Sequence, residues 1–368
     1  MSNPTPERAK IAALEGLRGV MAWWVVLGHV SLALGLHLPL VDDNVLAVDV
    51  FILLSGFVIF LLLDRKREPY ASYITRRAFR IFPLYLIVLA ISTLLLGVQL
   101  AAWRDIPFAS SVNAGRAHLA EIGLGAWPAQ LAAHVPLLQG LVPTSSLEGA
   151  PWTLVGQAWS VSLEWQFYLV APLLFWCLRD STRRLRVLLA LAAMAGLWFA
   201  GRTMTPAFLG VRIWHFGLGM TSYLWVAQPE RRRGLGLLAL LFAALMLATG
   251  GVRQLLPLAI FLAVLGSALA PAGRRGHALA ALLGRATFIR LGEMSYSVYL
   301  THMIPLVLGI WALNRLGVGP LAYKLLLSAF VVACTLLVSR IAFRRLEQPG
   351  IALGARVTAG PPVVQPSA

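Results

Sequence analysis

Charge is what this chain has least of: only 12% of its 368 residues are Asp, Glu, Lys or Arg, about half the share of a soluble globule. That scarcity, with 59% hydrophobic residues and a mean hydropathy of +0.77, excludes a water-soluble domain of this size. Acids are scarcer still, 15 against 31 basic residues for a net charge of +16. The excess does not mean nucleic acid, because the basic residues sit in short connections between apolar runs, as membrane orientation requires. The two cysteines, Cys177 and Cys334, both lie in apolar runs, so they read as small core residues and not as a disulfide framework. No alternating ten-residue pattern is present, which excludes a membrane β-barrel. The first apolar run lacks a small-residue cleavage site and reads as a span, not a removable signal. There is no internal repeat.

What is present is an all-α polytopic membrane bundle. Ten apolar segments of spanning length fall near residues 14–36, 46–63, 81–100, 159–178, 186–201, 207–226, 235–250, 254–271, 291–313 and 321–342, and backbone in lipid must close its own hydrogen bonds as helix. Placing the N-terminus inside puts twenty-three Lys and Arg in the inner connections against five outside, so both termini are expected in the cytoplasm. The domain division is a cytoplasmic segment at 1–13, a transmembrane domain at 14–346, and an unstructured cytoplasmic tail at 347–368. The outer connection at 101–158 is long, rich in Gly, Pro and Trp, and reads as irregular chain, functional or disordered. The inner connection at about 272–290 is basic and amphipathic, suited to lying on an anionic bilayer surface.

Four groups of polar residues stand inside or against these spans. Arg18 and His29 are eleven residues apart, close to three helical turns, so they share one face roughly 16 Å apart along the axis. An ionisable residue in a span faces a protein interior or a wet cavity, for an internal contact or for chemistry. Arg77 and Arg80, in RRAFRIFPLY, are neighbours on a helix surface and suit a phosphate, although positive-inside anchoring explains them equally simply. Gln157, Ser160, Glu164 and Tyr168 step along one face of the fourth segment, with Glu164 expected in the outer leaflet as a functional acid or half of a buried ion pair. Ser295, Tyr299 and His302 share a stripe in the ninth segment and fit ordinary core residues. Asp49 opens the second segment as another outer-leaflet acid, and Ser55-Gly56 marks a close helix-packing point.

The elements LEGLRGVMAWWVVLGH, VDVFILLSGF, RRAFRIFPLYL, WSVSLEWQFYL, LGEMSYSVYLTH and RRLEQP, in this order over about residues 14–349, resemble the membrane acyltransferase-3 family. The resemblance implies a bacterial inner-membrane O-acyltransferase that moves an acetyl or other short acyl group from cytoplasmic acyl-coenzyme A to a sugar hydroxyl. Family acceptors include surface polysaccharides, peptidoglycan, Nod factors and macrolides. By position, Arg18 and His29 match the family's Arg-ten-residues-His motif, Arg77 and Arg80 its Arg-x-x-Arg motif, and Glu164 the acid of its Glu-x-Gln-Phe-Tyr segment. Glu15 stands where Asp is common, and Trp165 where a second acid is frequent, which weakens any two-carboxylate scheme. The chain is expected to be the membrane domain alone.

The resulting expectation is an acyl-coenzyme A-dependent enzyme, with acetyl-coenzyme A first among donors and no metal. Its partners are the donor, a carbohydrate or glycosylated acceptor and the lipid bilayer, with no nucleic acid. His29 is the expected general base, Arg18 the donor-orienting or oxyanion-steadying group, and Arg77 and Arg80 the phosphate holders, with Glu164 orienting the acceptor or His29. Asp49, Ser160, Tyr168, Tyr299 and His302 are secondary candidates. A covalent acyl-histidine stays open. The rival expectation is a transporter or flippase using the intramembrane Arg, His and Glu as a path.

Overall fold

The computed structural model describes residues 6–180, 182–271 and 273–359, with side chains from residue 12 onward, and is helical with no strand among them. The order is α1 (Pro6–Leu34), the single turn α2 (Pro39–Asp42), α3 (Asn44–Arg65), α4 (Tyr70–Leu94), α5 (Leu96–Asp105) and α6 (Ser111–His134). There follow α7 (Trp159–Leu178), α8 (Arg184–Gly201), α9 (Ile213–Ala227), α10 (Arg232–Gly250) and α11 (Leu255–Leu269). The chain continues with α12 (Ala278–Leu283), α13 (Ala286–Glu293), α14 (Ser295–Thr301), α15 (Met303–Leu313), α16 (Pro320–Ala342) and α17 (Gln348–Val357).

Nine stretches among the described residues are long and apolar enough to cross a membrane, and nine of the ten expected segments fall on them. The segment near 207–226 forms α9, whose 15 residues rise only about 22 Å, less than the hydrocarbon core of about 30 Å. A short 3₁₀ turn at Leu209–Arg212 leads into it, and one at Pro229–Arg231 leads from it into α10. It packs between α3 and α10. Outward faces are apolar: Leu185, Leu188 and Phe199 on α8, Leu237 and Leu240 on α10, and Leu321, Leu325 and Leu337 on α16 are all exposed, as lipid contact requires.

α1 threads the centre, against α3 on one side and the short helices α12 to α14 on another. Close approach of backbones sets this packing. A side chain at Gly16 would lie 2.1 Å from Leu283 O, one at Gly19 would lie 2.6 Å from the amide of Gly292, and one at Gly219 of α9 would lie 2.1 Å from Leu53 O of α3. Gly56 faces Gly219 across that contact, as the Ser55-Gly56 pair led one to expect. The basic stretch at 272–290 departs from a free surface helix: beyond Gly273 it folds into two short helices that press against α1. The ninth segment is interrupted at His302, where Pro305 leaves the Thr301 carbonyl without its usual helical donor.

Two other expectations change. The connection at 101–158 is not irregular throughout: α5 and α6 occupy its first half, α6 kinked at Ala126 just before Pro128. Five glycines and prolines hide it from a propensity reading. The remainder is tied down by side chains. Gln130 donates to Glu148 O (2.8 Å) and accepts from Thr153 (2.7 Å), while Tyr85 of α4 donates to His134 O (2.8 Å). The tail also stays ordered longer than expected. α16 runs through a π-helical turn, Phe343–Glu347, into α17, which packs on α4 with Gly350 against the Phe79 carbonyl that Pro83 leaves free. Residues 360–368 lie outside the described residues.

Two outcomes follow. Gly219→Ala should lower stability by about 1–3 kcal/mol through overpacking, whereas Gly196→Ala in α8, with open space around it, should be neutral or slightly stabilising. Thermal unfolding in detergent compares them. Burial, against weaker opposing hydrogen bonds to Gln130 and Thr153, pushes His134 from its usual value of 6.5 down to about 4. The folded form therefore refuses a proton that the unfolded segment accepts, so this contribution is complete above pH 6.5 and is lost as pH falls toward 4. Protection factors of residues 126–158 should drop across that window in the native chain and stay flat in His134→Gln.

Candidate functional site

The polar stripes of α1 and α7 run antiparallel past each other, and three connected cavities lie along them. The largest, about 820 Å³, is lined by Arg18 of α1, Ser55 of α3, Arg77 and Arg80 of α4, Glu164 and Tyr168 of α7, and Glu347 of the π-helical turn. Its charges hold one another. Arg18 Nη1 is 3.5 Å from Glu15 Oε2, Glu164 Oε1 accepts from Ser55 Oγ (2.9 Å) and from Tyr168 Oη (2.5 Å), and the Arg77 guanidinium lies 5.8 Å from the Tyr168 ring centre. Arg76 is turned away, paired with Glu68 at 3.2 Å and bound to Thr358. Glu347 is buried, accepts from Ser297 Oγ at 2.6 Å and keeps its other oxygen without a partner. Its closing RRLEQP segment was legible, but only the extra residue of a π turn aims this carboxylate inward.

A neck of about 50 Å³ leads on, bounded by Arg18, Ser55 and Glu164 at one end and by Val48 and Tyr299 at the other, with Phe51 and Ser160 between. Tyr299 Oη donates to Gln157 O at 2.9 Å, so the 2.6 Å contact with Ser160 has the serine as donor. Beyond the neck, a second cavity of about 340 Å³ holds His29, Arg116, Gln157 and Tyr299 among Trp103, Trp152 and Trp159. Buried polar atoms of Asp42 and Asn44, which also line it, have no partners.

The histidine centre is well defined. Arg116 Nη2 lies 2.7 Å from His29 Nδ1; a guanidinium only donates, so Nδ1 accepts and His29 is neutral with its proton on Nε2. The guanidinium is 4.6 Å from the Trp103 ring centre. Burial pushes Arg116 down to about 10, which leaves it charged at neutral pH. His302 stacks on His29 with ring centres 5.2 Å apart, its Nδ1 donating to Tyr299 O at 2.7 Å and its buried Nε2 unpartnered.

Several expectations are thereby redistributed. Arg18 and His29 share a helix face yet open into different cavities, with the neck between them. Glu164 belongs with the arginines, not with His29: α7 descends as α1 rises, so it is Gln157 that reaches the histidine end. The α7 stripe itself is as expected, touching all three cavities in register. His302, expected as a core residue, is buried but lies directly against His29. Asp49 lines none of the three cavities. It is fully buried, bound by Arg212 Nε (2.8 Å) and Gln254 Nε2 (3.0 Å), while Gln254 Oε1 contacts His215 Nε2 (2.9 Å). Arg116 was missed because it read as one of five cations spread over the outer connections; only the fold of α6 over α1 carries it to His29.

A family model described as an acyltransferase domain matches residues 11–340. Acyltransferase MdmB of Streptomyces mycarofaciens is 28% identical to this chain, over 86% of the chain and 84% of that protein. No solved structure matches.

The Asp49 cluster joins α3, α9 and α11 and should act through stability. Arg212→Gln leaves the fully buried Asp49 carboxylate uncompensated, with an expected loss of about 3–5 kcal/mol, and Asp49→Leu, which leaves only a part-exposed guanidinium, should cost less. The double variant should lose clearly less than the two single losses combined. Unfolding midpoints measure this; additive losses would detach Asp49 from Arg212.

Proposed function

The chain belongs to the membrane acyltransferase-3 family, and from that premise we propose that it moves an acetyl or other short acyl group from acyl-coenzyme A to a hydroxyl of a carbohydrate or glycosylated acceptor. The observation that carries this reading is the pairing of an arginine-lined cavity with a histidine-centred one, joined by a neck of about 50 Å³ that shares lining residues with both. Arg77 and Arg80 hold the phosphates of the donor, with Arg18 at the entrance to the neck. Glu164, fixed by Ser55 and Tyr168, keeps Arg18 and the phosphate-binding arginines facing the cavity. The acceptor takes the second cavity, where indole faces suit the apolar side of a sugar ring and unpartnered Asp42 and Asn44 suit its hydroxyls.

In the transfer, His29 removes the proton of the acceptor hydroxyl as its oxygen bonds the thioester carbonyl carbon. The carbon–sulfur bond then breaks, and the departing thiolate takes that proton, leaving an ester and free coenzyme A. His302 buttresses His29 and presents the second imidazole. In this reading the membrane is a bacterial inner membrane and the arginine cavity faces the cytoplasm, an orientation that the one-sided distribution of Lys and Arg supports, with the acceptor approaching from the opposite side.

The connected path also fits a transporter or flippase, and turnover separates the two. Purified protein in lipid nanodiscs is given acetyl- to butyryl-coenzyme A with a panel of sugars and a macrolide, and free thiol is followed. His29→Ala should lower kcat by about two to four orders of magnitude, and His302→Ala by less. Arg77→Ala and Arg80→Ala should raise the donor KM, with Lys restoring part of it. Absence of thiol release with every pair would favour the transport reading, and loss at His302 with His29 dispensable would move the base to the ninth segment.

A further inference from the structure

Arg116 has no assigned role, and its setting is unusual for a charged group. Among the described residues no carboxylate pairs with it; it contacts His29 through Nη2, stacks on Trp103 and keeps a buried Nη1 without any partner. Asp42 lines the same cavity without pairing with it, and a guanidinium set against aromatic rings with a nitrogen free to donate is poised for an oxygen that becomes negative. Arg18, the cation that shares the α1 stripe with His29, lines the arginine cavity and the neck but not the cavity of His29. The cation within reach of an oxygen at His29 is therefore Arg116.

The hydrogen bond to His29 adds a constraint. Neutral imidazole has a single lone pair in the ring plane, and here Arg116 occupies it at Nδ1. His29 accepts a proton from a hydroxyl only once that donor turns elsewhere. We propose that Arg116 is the carbonyl-binding residue of the histidine cavity, and that in turning to the thioester oxygen it releases the His29 lone pair. The proposal rests on the acyl-transfer reading. As the acceptor oxygen bonds the carbonyl carbon and its proton passes to His29 Nδ1, the carbonyl π pair moves to oxygen and is held by the guanidinium. Collapse restores the double bond, expels thiolate and returns the proton to it. Base and oxyanion holder are thus coupled: an unfilled carbonyl position leaves the base capped.

Two arms test this on the full chain in nanodiscs. In the first, Arg116→Ala should lower kcat for thiol release about 10²- to 10³-fold, the usual effect of removing one oxyanion donor, with donor KM nearly unchanged. Arg116→Lys should retain part of the rate, and millimolar guanidinium should restore turnover to Arg116→Ala but not to His29→Ala, a rescue that a merely structural contact would not give. In the second arm, His29 is labelled with diethyl pyrocarbonate, which reacts with a free imidazole lone pair, and located by mass spectrometry. Labelling should be faster in Arg116→Ala than in the native chain, with unfolding midpoints confirming intact folds. A native-like kcat in Arg116→Ala overturns the proposal while leaving acyl transfer standing. Native protein without thiol release defeats the acyl-transfer reading itself, and unchanged His29 labelling shows that Arg116 does not cap the base.

Discussion

The structure depends on one electrostatic constraint: a charge in a spanning helix costs several kcal/mol against lipid and must find an interior partner. α1 carries Arg18, and α7 carries Glu164, on single faces of otherwise apolar helices. Turning both faces inward from antiparallel helices opens Arg18, paired with Glu15 on its own helix, and Glu164, fixed by Ser55 and Tyr168, onto the same cavity. The same requirement turns Arg77 and Arg80 inward from α4. Stability and chemistry are therefore not separate demands here, because the groups that cannot face lipid are those that line the cavities.

Small residues make that arrangement possible. Backbones at Gly16, Gly19, Gly56 and Gly219 approach to distances that leave no room for a Cβ, so α1 and α3 sit deep within the bundle instead of at its rim. Interhelical van der Waals contact at such points is a main source of association in lipid, where burial of apolar surface gives little. Behind this core, the Asp49–Arg212–Gln254–His215 cluster locks α3 to α9 and α11. It holds the wall of the neck without entering it.

The roof formed by α5, α6 and the tied-down chain to residue 158 closes the histidine end. It brings Trp103, Arg116 and Trp152 over α1, so the second cavity is assembled from a connection as much as from spans. The cationic end and the imidazole end are thereby separated by the neck, which Tyr299 and Ser160 line as a hydrogen-bonded pair. A small group passes such a constriction more readily than a cofactor or a sugar, which gives the two-sided layout its chemical sense.

The sequence by itself determined the membrane bundle, the inward stripes of α1 and α7, the pairing of Arg77 with Arg80, and the close contact at Gly56, because periodicity and composition are local properties of a helix. Which stripe residues meet was decided only by the tertiary structure. Helix direction put Glu164 with the arginines and Gln157 with His29, a matter of packing that spacing along one chain segment does not encode. α6 escaped a local reading because its glycines and Pro128 mask a helix that tertiary contacts stabilise. Glu347 needed a π turn, and Arg116 needed the fold of α6 over α1, before either pointed at anything. Their positions are set by contacts between residues 50 to 87 apart in sequence, a range over which only the folded chain carries information.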